Sequence, residues 1–268
     1  MKDELIDFNT TALNELGYTF ETNIFKCSTF FHIKHTFIIT MHNSERIKNI
    51  WRQINEHIPT IYVTIVYNCG YKNGNKPKNV DTSAKDLWHV NSTIMNMYEG
   101  DEPILILEDD CMFLEAFKYN AAQVESLIMK KSNLGAYNLG GIPLLSYPIS
   151  CYNLRGLIFG FAHAVIYTKY GREQLKNMKF RLLHDIDCSM NTRMYFPIFP
   201  LAIQNIEHTD NSKNWDLCGL SFCYLNMFGK KLFHIHHVIG LFGGLLPLIF
   251  FIIFCMIFGS FLIIRISL

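Results

Sequence analysis

Ile104-Leu105-Ile106-Leu107 runs without a break into Glu108-Asp109-Asp110, and no other stretch constrains the fold so tightly. A strand exposed on one face alternates apolar and polar side chains, whereas a strand covered on both faces does not. The run therefore predicts a central parallel strand in an α/β sheet. Its three carboxylates stand at the carboxyl end, where open α/β sheets bind their ligands. Strand alternation expects Glu108 and Asp110 on one face and Asp109 on the other. Paired carboxylates make a hard-oxygen site suited to Mg2+ or Mn2+ and, through the cation, to a phosphate-bearing substrate. A strand ending in a solvated acidic turn would carry the same residues.

The flanking pattern agrees with a parallel sheet. Phe37 to Met41 reads as a strand that gives way at His42-Asn43-Ser44, where Asn43 or Ser44 can cap a helix running to about His57. Ile47, Ile50, Trp51 and Ile54 recur at three and four along it, and Pro59 stops it. Ile61 to Tyr67 is β-branched and aromatic, a second strand. Asn68 to Asn79 collects Gly70, Gly74 and Pro77 and reads as a loop. Helices are expected near Ser83–Tyr98 and Glu115–Lys131. Strand, helix, strand, helix, strand is the order of a sheet with helical crossovers. Further on, Ala136–Gly141 predicts a short strand, Leu157–Thr168 a β-rich run followed by a helix through Gln174 and Met178, and Tyr195–Ile203 an aromatic strand. His184-Asp185-Ile186-Asp187 reads as a short helix.

Val238 to Ile264 contains no charged residue. About 20 apolar residues at a rise of roughly 1.5 Å cross the hydrocarbon core, so this run predicts a transmembrane helix. Gly240, Gly243, Gly244 and Pro247 are tolerated in such helices. The expected organisation is one domain over 1–225, a juxtamembrane segment over 226–237 and a span over 238–264. The first 30 residues show no basic-flanked apolar core, and only four residues follow the span. Lys230 and Lys231 precede it, against Arg265 after it, and the expectation is a single-pass C-terminal anchor with a cytosolic domain. With 24 basic and 23 acidic residues the chain has no charge bias toward nucleic acid. Its eight cysteines form no Cys-x-x-Cys pair and read as scattered reduced thiols. Asn9 and Asn91 begin Asn-x-Ser/Thr triplets, which matter only if the domain is lumenal.

In order along the chain, four stretches resemble glycosyltransferase family 25, the lipopolysaccharide-biosynthesis and collagen-galactosyltransferase type. They are Phe37–Met41 with Ser44-Glu45-Arg46; Ile104–Asp110, similar to the family's Leu-Glu-Asp-Asp motif; Gly160–Tyr167, similar to its Gly-rich strand; and Ile186-Asp187 with Pro200–Gln204 and Ser212. Together they cover roughly residues 37 to 215. Thr40-Met41 stands where the family has Asn-Leu, and Thr82–Asp86 where it has a Cys-x-x-Ser-His element.

The resemblance implies a GT-A-like, Rossmann-like fold with a mixed, mainly parallel sheet and flanking helices. It also implies a nucleotide-sugar donor, most simply a UDP-sugar, bound with Mn2+ or Mg2+, and a glycan, lipid or protein acceptor. Developing negative charge on a diphosphate leaving group is neutralised by a bound cation. Asp110 is the expected direct metal ligand, Glu108 a second or water-mediated one, and His208 a further one. Asp109, Arg46 and Gln204 are expected at the ribose and diphosphate. An inverting transfer needs a base for the acceptor hydroxyl. Asp187 matches the family's late Asp, with Asp185 beside it. His163, Trp88 and Trp215 have core packing as their default. A tail-anchored adaptor without turnover, or a metal-dependent phosphatase or nuclease, is the alternative.

Overall fold

The structure, a computed structural model, describes residues 10–160, 162–176, 194–205 and the single residue 253. Its elements in chain order are α1 (Thr10–Glu15), β1 (Tyr18–Ile24), β2 (His35–Met41), α2 (Ile47–His57), β3 (Tyr62–Asn68), α3 (Ser83–Met97), β4 (Ile104–Glu108), β5 (Cys111–Phe113), α4 (Ala116–Lys130), β6 (Ala136–Asn138), β7 (Ile142–Pro148), β8 (Asn153–Gly160), β9 (Ala164–Tyr167), α5 (Lys169–Lys176), β10 (Met194–Pro197) and β11 (Ala202–Gln204). Nine strands form one sheet in the order β1-β3-β2-β4-β9-β6-β10-β8-β7, and β11 pairs with β5 in a small second sheet. Six of the nine (β2, β3, β4, β6, β7 and β10) point the same way, and β1, β8 and β9 run against them. This is a mixed α/β architecture with a large, mostly co-directional sheet.

The central strand follows from its sequence. β4 lies parallel to β2 on one side and antiparallel to β9 on the other. Leu105 and Leu107 enter one core with Ile50 and Ile54 of α2 and Phe117, Ala121, Val124 and Ile128 of α4. Ile104 and Ile106 enter the other, with Val90, Ile94 and Met95 of α3 and Leu175 of α5. Four consecutive apolar residues thus feed two cores alternately, because successive side chains leave opposite faces of a strand. The helices of the first two crossovers lie on opposite faces, as right-handed connections require when the chain first moves from β2 to β3 and then returns past β2 to β4.

Several boundaries differ from the sequence expectation. β1 was not anticipated, although Tyr18–Ile24 is β-rich; it pairs antiparallel with β3 at the sheet edge. The run Leu157–Thr168 divides between β8 and β9, and Tyr195–Ile203 divides between β10 in the large sheet and β11 in the small one. Neither Asn43 nor Ser44 caps α2, which starts after Arg46 with no side-chain cap. The Ser44 hydroxyl is committed elsewhere, as described below. α3 is capped as its sequence suggests, with Thr82 Oγ1 accepting from the Lys85 N–H. Asn91 is buried in α3 with its amide donating to the Leu87 carbonyl, so the folded domain does not present it as a glycan acceptor. The four described cysteines are free thiols.

Asp185, Asp187, His208, Trp215, the segment 226–237 and, residue 253 apart, the span 238–264 lie outside the described residues. Among the described residues no helix is long and apolar enough to cross a membrane.

Candidate active site at the carboxyl edge of the sheet

β2 and β4 are neighbours, yet the chain leaves them in opposite directions, toward β3 on one side and toward β9 and β6 on the other. Such a reversal opens a crevice at the carboxyl ends of the two strands, where open α/β sheets bind ligands. The register Ile39↔Glu108 brings the residues that follow, Thr40 and Asp109, side by side. Thr40 Oγ1 donates to Asp109 Oδ2 at 2.8 Å, and Ser44 Oγ donates to the same oxygen at 2.7 Å. Arg46, at the start of α2, places Nη1 3.4 Å from Asp109 Oδ1 and 3.5 Å from Asp110 Oδ2.

β11 closes the site from the far half of the chain. Its pairing sets Gln204 opposite Cys111, next to Asp110. Gln204 Nε2 donates to Asp110 Oδ2 at 2.9 Å, and the Asn205 N–H donates to the Asp110 carbonyl at 2.7 Å. Asp110 is 3% exposed, and its Oδ1 is buried with no hydrogen-bond donor among the described residues. Burial pushes the Asp110 carboxyl up to about 6, against the opposing pull of Gln204 and Arg46, while the Asp109 charge pushes the same way as burial. The neighbouring Cys111 thiol is raised well above its ordinary value by burial, then by Asp110 and Glu108, so it stays neutral.

The alternation expected for the carboxylates ends where the strand ends. β4 stops at Glu108, and Asp109-Asp110 form a turn into β5, so both converge on Arg46 where strict alternation would have separated them. Glu108 is half-buried, with its N–H donating to the His163 carbonyl at 2.9 Å. His163 is buried, as expected of a core histidine, with its ring against Gly140; a Cβ there would stand 2.5 Å from Nε2. Trp88 packs against the second core. Thr40 and Ser44 are the site residues that sequence reasoning passed over. The available signal was a polar pair at the end of the strand beside an acidic one.

The described part of the site fits a divalent cation at one point, the bare Asp110 Oδ1. A buried carboxylate oxygen with no donor is costly unless a proton or a cation meets it. Among the described residues no group of three or more His, Cys, Asp or Glu is placed to hold a metal ion. One carboxylate oxygen of this kind could serve as a single protein ligand to Mg2+ or Mn2+, cations that commonly take one or two carboxylates and complete their shell with phosphates and water.

No family model and no curated protein matches the chain. Among solved structures it is similar to a glycosyltransferase involved in glycosylation of the major capsid of PBCV-1, at 13% identity over 65% of this chain and 96% of that one, TM-score 0.37. It is similar to the mannosyltransferase PcManGT from Pyrobaculum calidifontis in complex with GDP-Man and Mn2+, at 12% identity over 89% and 79%, TM-score 0.42. An apo UDP-glucose pyrophosphorylase is similar at 12% identity over 61% and 72%, TM-score 0.34. Likenesses this distant leave the activity to be argued from the chain's own residues.

Proposed function

We propose that the chain is a metal-dependent glycosyltransferase that moves a sugar from a nucleotide-sugar donor, most simply a UDP-sugar, to a glycan, lipid or protein acceptor. The observation that carries the reading is Asp110 at the switch point: a buried carboxylate with one oxygen fixed by Gln204 and Arg46 and the other left open. When bound there, Mn2+ or Mg2+ would neutralise charge on the diphosphate leaving group. The chain's own groups do the rest. Arg46 supplies a permanent positive charge beside Asp109 and Asp110, and Gln204 donates to Asp110 Oδ2, which leaves Oδ1 as the oxygen proposed to meet the cation. Glu108 is the proposed second, water-mediated ligand and His208 the proposed third, both on the sequence resemblance alone.

The finer parts of the proposal rest on sequence. Membership of family 25 is supported by the four ordered stretches between residues 37 and 215. Asp187 is the proposed base for an inverting transfer, with Asp185 its neighbour. The uncharged run 238–264 supports a membrane anchor, and Lys230-Lys231 beside it, with the free thiols, supports a cytosolic domain.

The test is a thermal-shift panel of UDP-, GDP- and CMP-nucleotides on the full chain in detergent, with and without Mn2+, for wild type and Asp110→Ala. A ligand at 100 times its Kd adds about 2.7 kcal/mol, which for a domain of this size raises Tm by roughly 5–10 °C. A Mn2+-dependent shift with one nucleotide class, lost in the variant, supports the reading and names the base. No shift with any nucleotide sinks it and favours the adaptor. Release of phosphate from simple esters favours the phosphatase.

A further inference from the structure

Resting on the membrane-anchor reading above, we propose that the tip of the β7–β8 hairpin, with the turn after β10, is a membrane-contact surface. It seats among the headgroups of an anionic bilayer and turns the edge that carries Asp110 toward them. The sheet register fixes where this surface lies. One row of paired residues crosses the sheet from Leu105 in β4 through Ile166, Tyr137 and Tyr195 to Arg155 in β8 and Tyr147 in β7. Counting outward from that row to the carboxyl edge, Leu105 to Glu108 and Arg155 to Tyr152 are the same number of steps. The Ile198 N–H donates to the Tyr152 carbonyl at 2.9 Å, which brings Phe199 beside the same tip. The acidic pair and the hairpin tip therefore share one edge, with the strands β4 and β8 roughly 19 Å apart.

The side chains at the tip are those of a membrane boundary. Tyr147, Tyr152 and Phe199 are 41%, 55% and 55% exposed, and the Cys151 thiol is exposed with them. Neighbouring exposed rings mark an interaction surface, and tyrosine, apolar in its body and polar at its end, favours the membrane–water interface. Charge names the partner. Residues 126–172 contain no Asp or Glu, and residues 194–205 contain no charged residue. Arg155 is the only charged residue in β6, β7, β8 and β10. Its Nη1 donates to the Tyr147 hydroxyl at 2.9 Å, and its Cζ stands 5.8 Å from the centre of that ring. Among the described residues its buried Nε has no acceptor and its charge has no ion pair. A permanent cation beside exposed rings, with no carboxylate to oppose it, complements anionic headgroups. A second copy of the chain, docked on the same patch, would set Arg155 against Arg155. The uncharged run 238–264 supplies the bilayer: residues 206–237 join it to Asn205, and a tethered domain needs only weak affinity to dock.

The test uses the full chain reconstituted into vesicles of phosphatidylcholine and phosphatidylserine. Two exposed thiols mark opposite edges of the sheet, Cys151 in the tip and Cys27 just past the far end of β1. A bilayer-impermeant maleimide, read peptide by peptide in a mass spectrometer, gives the ratio of Cys151 to Cys27 labelling, which chains facing the vesicle interior do not alter. The ratio is expected to be about fivefold lower in wild type than in Arg155→Gln with Phe199→Ser. Arg155→Gln alone should recover part of that difference in these vesicles and none in pure phosphatidylcholine, where no lipid charge meets the arginine. Melts of each variant check that it folds. A ratio left unchanged by the double variant, in vesicles that carry the chain on flotation, would overturn the docking while the anchor stands. Protection of Cys151 that persists in lipid-free detergent and grows with protein concentration would overturn it in favour of a second copy. A chain that does not float with the vesicles would overturn docking and anchor together, and the Asp110 site, read by nucleotide titration, would stand apart from both.

Discussion

Two buried carboxylates stand at the carboxyl edge of the sheet, and they are satisfied in opposite ways. Asp86, in α3, receives Lys76 Nζ on Oδ1 at 2.5 Å and Asn68 Nδ2 on Oδ2 at 3.1 Å. Lys76 in turn donates to Asn68 Oδ1 at 2.5 Å and lies 4.8 Å from the centre of the Tyr18 ring, whose hydroxyl meets His89 Nδ1 at 2.6 Å. Both Asp86 oxygens have partners, and the lysine is as buried as its partner. Asp110, beyond β4, has one oxygen met by Gln204 and Arg46 and one met by nothing described. The closed ion pair pins a glycine-rich loop to the sheet; the Asp110 carboxylate keeps one buried oxygen without a donor among the described residues. Burial alone does not separate structure from function here, whereas the accounting of each oxygen does.

The largest expected effect breaks the closed pair. Lys76→Met strands the Asp86 charge in the core and should cost about 3–5 kcal/mol in urea unfolding, with Asp86→Leu in the same chain restoring most of it. A loss below about 1 kcal/mol would mean the pair is solvated, and the contrast with Asp110 would collapse. Asp110→Asn should behave in the opposite way. A carboxyl raised to about 6 from an unfolded value of 3.8 binds its proton more tightly when folded, so its contribution is fully present below pH 3.8 and is lost as pH rises through 6. The Asn variant is spared that loss. It should be more stable than wild type by about 1–3 kcal/mol at pH 8 and equal to it near pH 4, as read from melts across that range. A variant less stable at pH 8 would place Asp110 with the closed pair.

Smaller effects sharpen the comparison. Gln204→Ala removes the close donor to Asp110 Oδ2 and should lower stability at pH 8 by about 1–2 kcal/mol, with a smaller effect at pH 4, where the carboxyl is protonated. Ser44→Ala removes one of two hydroxyls from a half-exposed site and should cost about 0.5–1 kcal/mol in the same assay, while weakening nucleotide binding more than that figure alone would suggest.

The central strand, the first two crossovers and the acidic cluster were readable because burial on both faces leaves an unmistakable apolar run. Arg46 and Gln204, named as ligand contacts, do gather at the acidic pair, one from the turn after β2 and one from a strand 94 residues beyond Asp110. What stayed hidden depended on distant partners. Thr40 and Ser44 become site residues only because β2 pairs with β4, and a serine before a helix otherwise reads as a cap. Lys76 sits in a loop that reads as solvated, and only the fold carries it under Tyr18. Pro197 and Pro200 mark locally where Tyr195–Ile203 breaks, but that its second half joins β5 in a separate sheet depends on a distant partner.

The unpartnered oxygen of Asp110 is proposed to make a cation-dependent diphosphate site. Calorimetric titration of UDP into the full chain, with Mn2+ and then with EDTA, for wild type and Asp110→Asn, tests this most directly. Binding is predicted with Mn2+ in the wild type, at least tenfold weaker in EDTA, and equally weak in Asp110→Asn under both conditions. UDP binding of the same strength in EDTA, or undiminished in Asp110→Asn, would contradict the account.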